Sequence, residues 1–236
     1  MDTLGTVPGR DRRDGRATRW AGQREKRRAE IVAAALTAIA EHGPGVSTEQ
    51  IAEHAGIARP MLYRHFADAD DVYNTVALHI GELLIAELAP TLIRPIGSAR
   101  EMLTRIIGTY VVWFSQNPSL YQYVISRSMD AQHGGRHLVA DVREQISGLL
   151  RDLLTGYIVL LQGDPRIADP LSFGLAGLVE AATARWTAVA RTPLDRDELI
   201  AHLAGWVWGA LDAALRDVGV ELDPDIPLPQ LSERTD

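Results

Sequence analysis

Residues 47–66, STEQIAEHAGIARPMLYRHF, gather side chains suited to the edges and backbone of a nucleic acid. Arg59 carries a fork of N–H donors that matches guanine, and Met61 offers an apolar tip for a thymine methyl group. Tyr63 and His65 suit phosphate oxygens, with Ser47, Thr48 and Arg64 in support and Pro60 between the base-reading pair. The chemistry is recognition rather than bond-making.

Two short helices around a glycine turn must position these groups. Ser47 or Thr48 caps the first helix, and Gln50, three residues after Ser47, completes a capping box. Ile51, Ala52 and Ala55 share one face at helical spacing, and the small Ala52 permits close approach of the second helix. Gly56 supplies the left-handed turn. Pro60 then falls in a first turn, where its missing N–H is harmless. Leu62 and Phe66, four apart, point inward, which leaves Arg59, Met61, Tyr63, Arg64 and His65 outward.

The run Ala55-Gly56-Ile57 followed by Leu62-Tyr63-Arg64-His65-Phe66 resembles the TetR family of one-component bacterial transcription regulators. The resemblance covers about residues 24–80; beyond that the chain is similar only in length and all-helical texture. It implies a homodimer whose paired recognition helices bind a palindromic double-stranded DNA operator, with half-sites about 34 Å apart. It also implies a pocket among the central helices that accepts an inducer, so that ligand and DNA oppose each other. Ala58 and Ala69 stand where a small hydroxyl residue and a lysine are common, and Met61 replaces a common threonine. An interaction protein that kept the fold without reading specific DNA is the rival reading, and activation stands open beside repression.

Composition bounds these expectations. The 236 residues are 46% hydrophobic, enough for a real core, and contain no cysteine. Disulfides, zinc-thiolate sites and thiol catalysis are therefore excluded. No uninterrupted apolar run approaches the roughly 18 residues of a membrane span, so a cytoplasmic protein with no membrane partner is expected. The net charge of −7 divides unevenly: residues 1–67 carry 11 Lys/Arg against 8 Asp/Glu, and residues 68–236 carry 13 against 23. Within the basic half, residues 10–28 hold nine basic and three acidic side chains. Residues 1–23 read as a disordered basic arm. Either Arg16 and Arg19 follow phosphates or a narrow minor groove, or the arm is a solvated tail.

The expected fold is all-α, with an N-terminal three-helix DNA-binding head containing the helix-turn-helix and a C-terminal helical body for ligand binding and dimerisation. The head spans 24–67, the body 68–219, and 220–236 form an irregular tail. A first helix opens at Arg24-Glu25-Lys26-Arg27-Arg28 and buries Ile31, Ala34, Ala35, Ala38 and Ile39. Asp68 caps a fourth helix that runs to about Leu88, where Pro90 and Pro95 break the chain. Ser98 and Glu101 box the start of a helix to Gln116. Further helices are expected at 118–129, 138–162, 171–190 and 195–217.

The body offers no catalytic set, metal or cofactor site. Gly134-Gly135 separates His133 from His137, and no glycine elbow accompanies Ser126, Ser128 and Asp130. What it does offer is an aromatic and aliphatic stripe: Met102, Ile106, Tyr110, Trp113 and Phe114, then Tyr121, with Phe173 from a later helix. The stripe is either plain core or the wall of a cavity for a hydrophobic small-molecule effector. Resemblance to family members that govern lipid metabolism suggests a fatty-acyl chain or its coenzyme A thioester, with Arg100 or Arg105 at the head group. Small residues alternating with large ones (Gly174, Leu178, Ala182, Trp206, Gly209 and Ala213) mark the expected dimer face. Trp206 and Trp208 should point in different directions, one outward and one to the core.

Overall fold

A computed structural model describes residues 11–94, 96–129, 135–188 and 193–228, with side chains from Gly22 onward except those of 128–141. Arg16, Arg19, Ser128, Asp130, His133 and His137 lie outside the described side chains. The helices are α1 (Asp11–His42), α2 (Thr48–His54), α3 (Arg59–Leu62), α4 (Ala69–Ile93), α5 (Ala99–Gln116), α6 (Pro118–Met129), α7 (Gly135–Leu160), α8 (Ala168–Ala188) and α9 (Arg196–Asp217). Among the described residues the β-type pairing is limited to an isolated antiparallel bridge, Ser98 to Pro227.

The chain divides into two compact units, Met1–Val76 and Ala77–Asp236, and the division falls inside α4. In the first unit, Ile31, Ala35, Ala38 and Ile39 of α1 are fully buried, joined by Val46, Ile51, Ala52, Leu62, Phe66, Val72 and Val76. Each large apolar side chain buried this way stabilises the unit by about 1.5–3 kcal/mol. The start of α1 departs from expectation, because the helix is continuous from Asp11 where a disordered arm was foreseen. No proline interrupts residues 11–23, and Gly15 and Gly22 each cost only about 1 kcal/mol relative to alanine. A helix already nucleated by its packed half propagates cheaply through such a stretch.

In the second unit, two apolar clusters organise the helices. One joins Leu103, Ile107 and Val111 of α5 to Leu199, Leu203, Val207, Leu211 and Leu215 of α9, with α7 and α8 against it. The other joins Leu84, Leu88 and Leu92 of α4 to Met102 and Phe114 of α5 and Leu153 and Tyr157 of α7. Helix α4 continues past the expected break, to Ile93, with Pro90 inside it. The missing N–H falls at exposed Pro90 in the final turn, and the carbonyl it frees belongs to Ala86, itself exposed and open to solvent. By length and composition alone α4 is also long and apolar enough to cross a membrane. Its apolar side is instead committed to the core, through Ile80, Leu84, Leu88 and Leu92.

Residues 221–228 are irregular and are fastened to the start of α5. Arg100 N–H donates to the Pro224 carbonyl at 3.0 Å, Leu228 N–H donates to the Gly97 carbonyl at 2.9 Å, and Leu228 packs on the second cluster.

Candidate nucleic-acid interface and ligand cavity

The helix-turn-helix forms from local signals. Ser47 is the cap of α2, and the capping box with Gln50 is complete. Gly56 adopts φ 65°, the left-handed conformation that lets α2 turn into α3. Ala58 caps α3 without a side-chain hydrogen bond, and Pro60 sits in its first turn. Leu62 and Phe66 are buried, while Arg59, Pro60, Met61 and Arg64 are exposed.

The outward side chains differ from expectation in three respects. Arg59 forms an ion pair with Glu49 at 2.8 Å and donates to the Tyr63 hydroxyl at 3.4 Å, so its fork is partly engaged before any base arrives. Thr48 is only 2% exposed, and its hydroxyl lies within hydrogen-bonding distance of Glu49 and of Tyr63, which removes it from the phosphate set. His65 is half-buried, and its Nδ1 is buried without a hydrogen-bond partner among the described residues.

Arg28 was grouped with the basic opening of α1; the structure gives it another role. Its guanidinium donates to the His65 carbonyl at 2.6 Å, to both Asp71 carboxylate oxygens at 3.3 Å and to the Thr75 hydroxyl at 3.1 Å. It also lies 4.2 Å over the Phe66 ring. Burial works against the charged form of Asp71, but the Ala67 N–H and Arg28 outweigh it and hold the carboxyl below its ordinary range. The helical spacing carried the signal: Arg28 stands three residues before Ile31, on the edge of the buried face.

A second pairing joins α1 to α2. His54 Nδ1 lies 2.9 Å from the Gln50 carbonyl, and Nε2 lies 3.0 Å from the Glu41 carboxylate. The Gln50 carbonyl, then Glu41, raise the His54 pKa above 6.5. A raised folded-state pKa adds stability that is complete below the unfolded value and is lost as pH climbs through the folded one. The melting temperature of the head should therefore fall as pH rises from 6.5 through that higher value, and His54→Gln should flatten the slope. An identical slope in the variant would assign the dependence elsewhere.

The second unit contains a cavity of about 160 Å³ with an overwhelmingly apolar wall. Met102, Ile106, Tyr110, Trp113, Phe114 and Tyr121 all line it, as do Leu84 and Leu88 of α4. Their rings interlock: Tyr110 and Phe114 are 4.4 Å apart, and Phe114 and Tyr121 meet edge to face at 4.6 Å. Phe173 does not join them; it is 47% exposed, with Arg143 at 5.8 Å from its ring. Gly81 brings α4 and α7 together, since a Cβ there would meet Val142 Cγ2 at 2.3 Å.

The charged groups on the described wall are Arg143 of α7 and Glu180 of α8, which local reading missed. Their bond is bidentate, at 2.8 and 2.9 Å. Arg100 and Arg105, the expected head-group partners, do not line the cavity: Arg100 pairs with Asp225 at 2.6 Å, and Arg105 donates to the Ile96 carbonyl. Burial, followed by the Glu180 charge, pushes the Tyr110 hydroxyl well above the usual tyrosine range and raises that of Tyr121, so both are neutral donors.

On α8 and α9, Gly174, Gly209 and Ala213 are exposed, and Trp206 is 52% exposed. Trp208 packs on the subunit core, as do Leu178 and Ala182, which were expected on the outer face. Helix spacing places those two toward α9 rather than outward.

An exposed short helix after a capped helix and a glycine turn is the geometry of a helix-turn-helix, the motif by which many proteins read DNA. Residues 31–76 match the family of bacterial regulatory proteins known as the tetR family. An HTH-type transcriptional regulator of Mycobacterium tuberculosis is 28% identical over 201 residues, covering 84% of this chain and 82% of the relative. Among solved structures, a tetR-family transcriptional regulator from Streptomyces coelicolor superposes with TM-score 0.65 at 21% identity, covering 83% of this chain and 86% of its own. The fatty acid degradation regulator FadR of Bacillus halodurans gives 0.57 at 18% identity, covering 77% and 97%. The family match thus covers the helix-turn-helix segment, residues 31–76, and over most of its length the chain shares the fold of solved regulators.

Proposed function

We propose that the protein is a cytoplasmic homodimeric repressor that binds a palindromic operator and is released from it by a hydrophobic small molecule. The apolar cavity carries this reading, because it lies in the unit that contains no DNA-reading element. Arg59 and Met61 read bases; Tyr63, Arg64 and His65 hold the backbone, the last through its Nε2 edge or main chain. Ser47 and Pro60 shape the helix ends, and the exposed surface around Gly174, Trp206, Gly209 and Ala213 pairs the subunits. Arg16 and Arg19 add phosphate contacts from the start of α1. Helix α4 transmits the effector state, since Leu84 and Leu88 touch the cavity while Val72 and Val76 of the same helix are core to the head. The relative named for fatty acid degradation adds an acyl effector as a second reading.

The test begins with selection of duplexes from a random library at physiological salt. A palindromic consensus bound well above random DNA supports the proposal; no preference would leave only the interaction-protein reading. Arg59→Ala should lower discrimination at one position of each half-site by about 1–3 kcal/mol, measured by competition binding.

A further inference from the structure

Resting on the reading of the cavity as an effector site, we propose that its ligand is a neutral, ring-containing molecule with a single hydrogen-bonding tip, and that the Arg143–Glu180 pair excludes anions. Size and shape come first. A cavity of about 160 Å³ walled by interlocked rings is close to the size, on the order of 150 Å³, that accepts a benzene ring. A one- or two-ring compound meets ring faces and edges on the α5 and α6 sides of this space.

Polarity follows from what the wall leaves unpaired. Arg143 already spends two donors on Glu180 in a fork-to-fork bond. An incoming carboxylate either displaces Glu180, which then remains half-buried without its cation, or takes only the remaining Nη1 donors beside a charge of its own sign, and both arrangements are costly. An incoming cation meets the mirror-image penalty on Arg143. By contrast, the Tyr110 and Tyr121 hydroxyls line the same space, have no hydrogen-bond partner among the described residues and are held in the protonated form. A ligand hydroxyl or carbonyl gives these groups the partner they lack, and a site with buried polar groups of this kind discriminates strongly for such a tip.

The experiment compares 2-naphthol with 2-naphthoate, alike in size and differing in charge at pH 7, on the full-length protein by calorimetry. Naphthol should bind the wild type at least tenfold more tightly. Glu180→Gln, which leaves the Arg143 cation without its acid, should shift the preference at least tenfold toward naphthoate. The double variant Arg143→Met/Glu180→Gln should retain the neutral preference and guards against misfolding of the single one. Naphthoate binding as tightly as naphthol to the wild type would overturn the proposal, as would an unchanged preference in Glu180→Gln. Operator release is scored separately. Naphthoate that is preferred and releases the operator sinks the charge selection and leaves the effector reading intact. Naphthol that binds without releasing it does the reverse, and failure of both probes to bind overturns both.

Discussion

Gly209→Arg is expected to give a folded monomer whose operator affinity is lower by on the order of 100- to 10,000-fold. The magnitude follows from avidity: two heads joined in a dimer make the second half-site contact intramolecular, and separating them removes that gain without touching any base contact. The position makes the test clean. A Cβ on Gly209 meets nothing within 4 Å in the protomer, and neither does one on Gly205 or Gly174, so the substitution leaves the subunit core untouched. A dimer, in contrast, would have to bury the new guanidinium without a partner. Sedimentation at micromolar concentration, paired with operator titration, checks both parts. A variant that remains dimeric would move the subunit contact away from the exposed side of Trp206, and a wild-type monomer would end the dimer proposal.

The second large effect is expected at Arg28. Removing it by Arg28→Ala should destabilise the head by about 2–3 kcal/mol, because charge-assisted hydrogen bonds are worth about 1.5–3 kcal/mol and the Asp71 carboxylate would be left without its main cation. The loss should reach the DNA, since the His65 carbonyl that Arg28 holds closes the C-terminal end of the recognition helix. Arg28→Lys should recover little, as a single ammonium cannot span three acceptors with a planar fork. Hydrogen exchange of α2 and α3 amides reads the head alone, separately from the second unit. Wild-type protection in Arg28→Ala would show that the apolar core suffices and that the cluster is ornamental.

What the sequence makes legible here is what short-range physics decides. The Ser47–Gln50 and Ser98–Glu101 boxes, the left-handed Gly56 and the inward pair Leu62 and Phe66 involve partners within four residues, and each stands where local spacing puts it. Five cavity residues, Met102, Ile106, Tyr110, Trp113 and Phe114, are also legible, because α5 carries them at intervals of three and four. Phe173 was misassigned for want of knowledge of how α8 rotates about its axis. Arg28 reaches Asp71 across 43 positions and Arg143 reaches Glu180 across 37, and no periodicity encodes such a partner. The same limit explains Thr48, whose hydroxyl faces Tyr63 fifteen residues on. Pro90 misled for a different reason: breaking strength depends on whether the freed carbonyl reaches water, which only the fold reveals.

The clasp between residues 224–228 and the start of α5 has a consequence for how the protein is made. The Arg28–Asp71 and Glu41–His54 pairings join residues within the first 76, so that unit can close while the ribosome is still translating the body. The second unit cannot follow in step. Its first complete helix, α5, is locked at the N-terminus by the Pro224 carbonyl, the Asp225 carboxylate and the Leu228 N–H, with Asp225 lying 125 residues downstream of Arg100, and contacts of such separation form late and slowly. For the interval between, the nascent chain carries a finished helix-turn-helix unit on an unfinished C-terminal body.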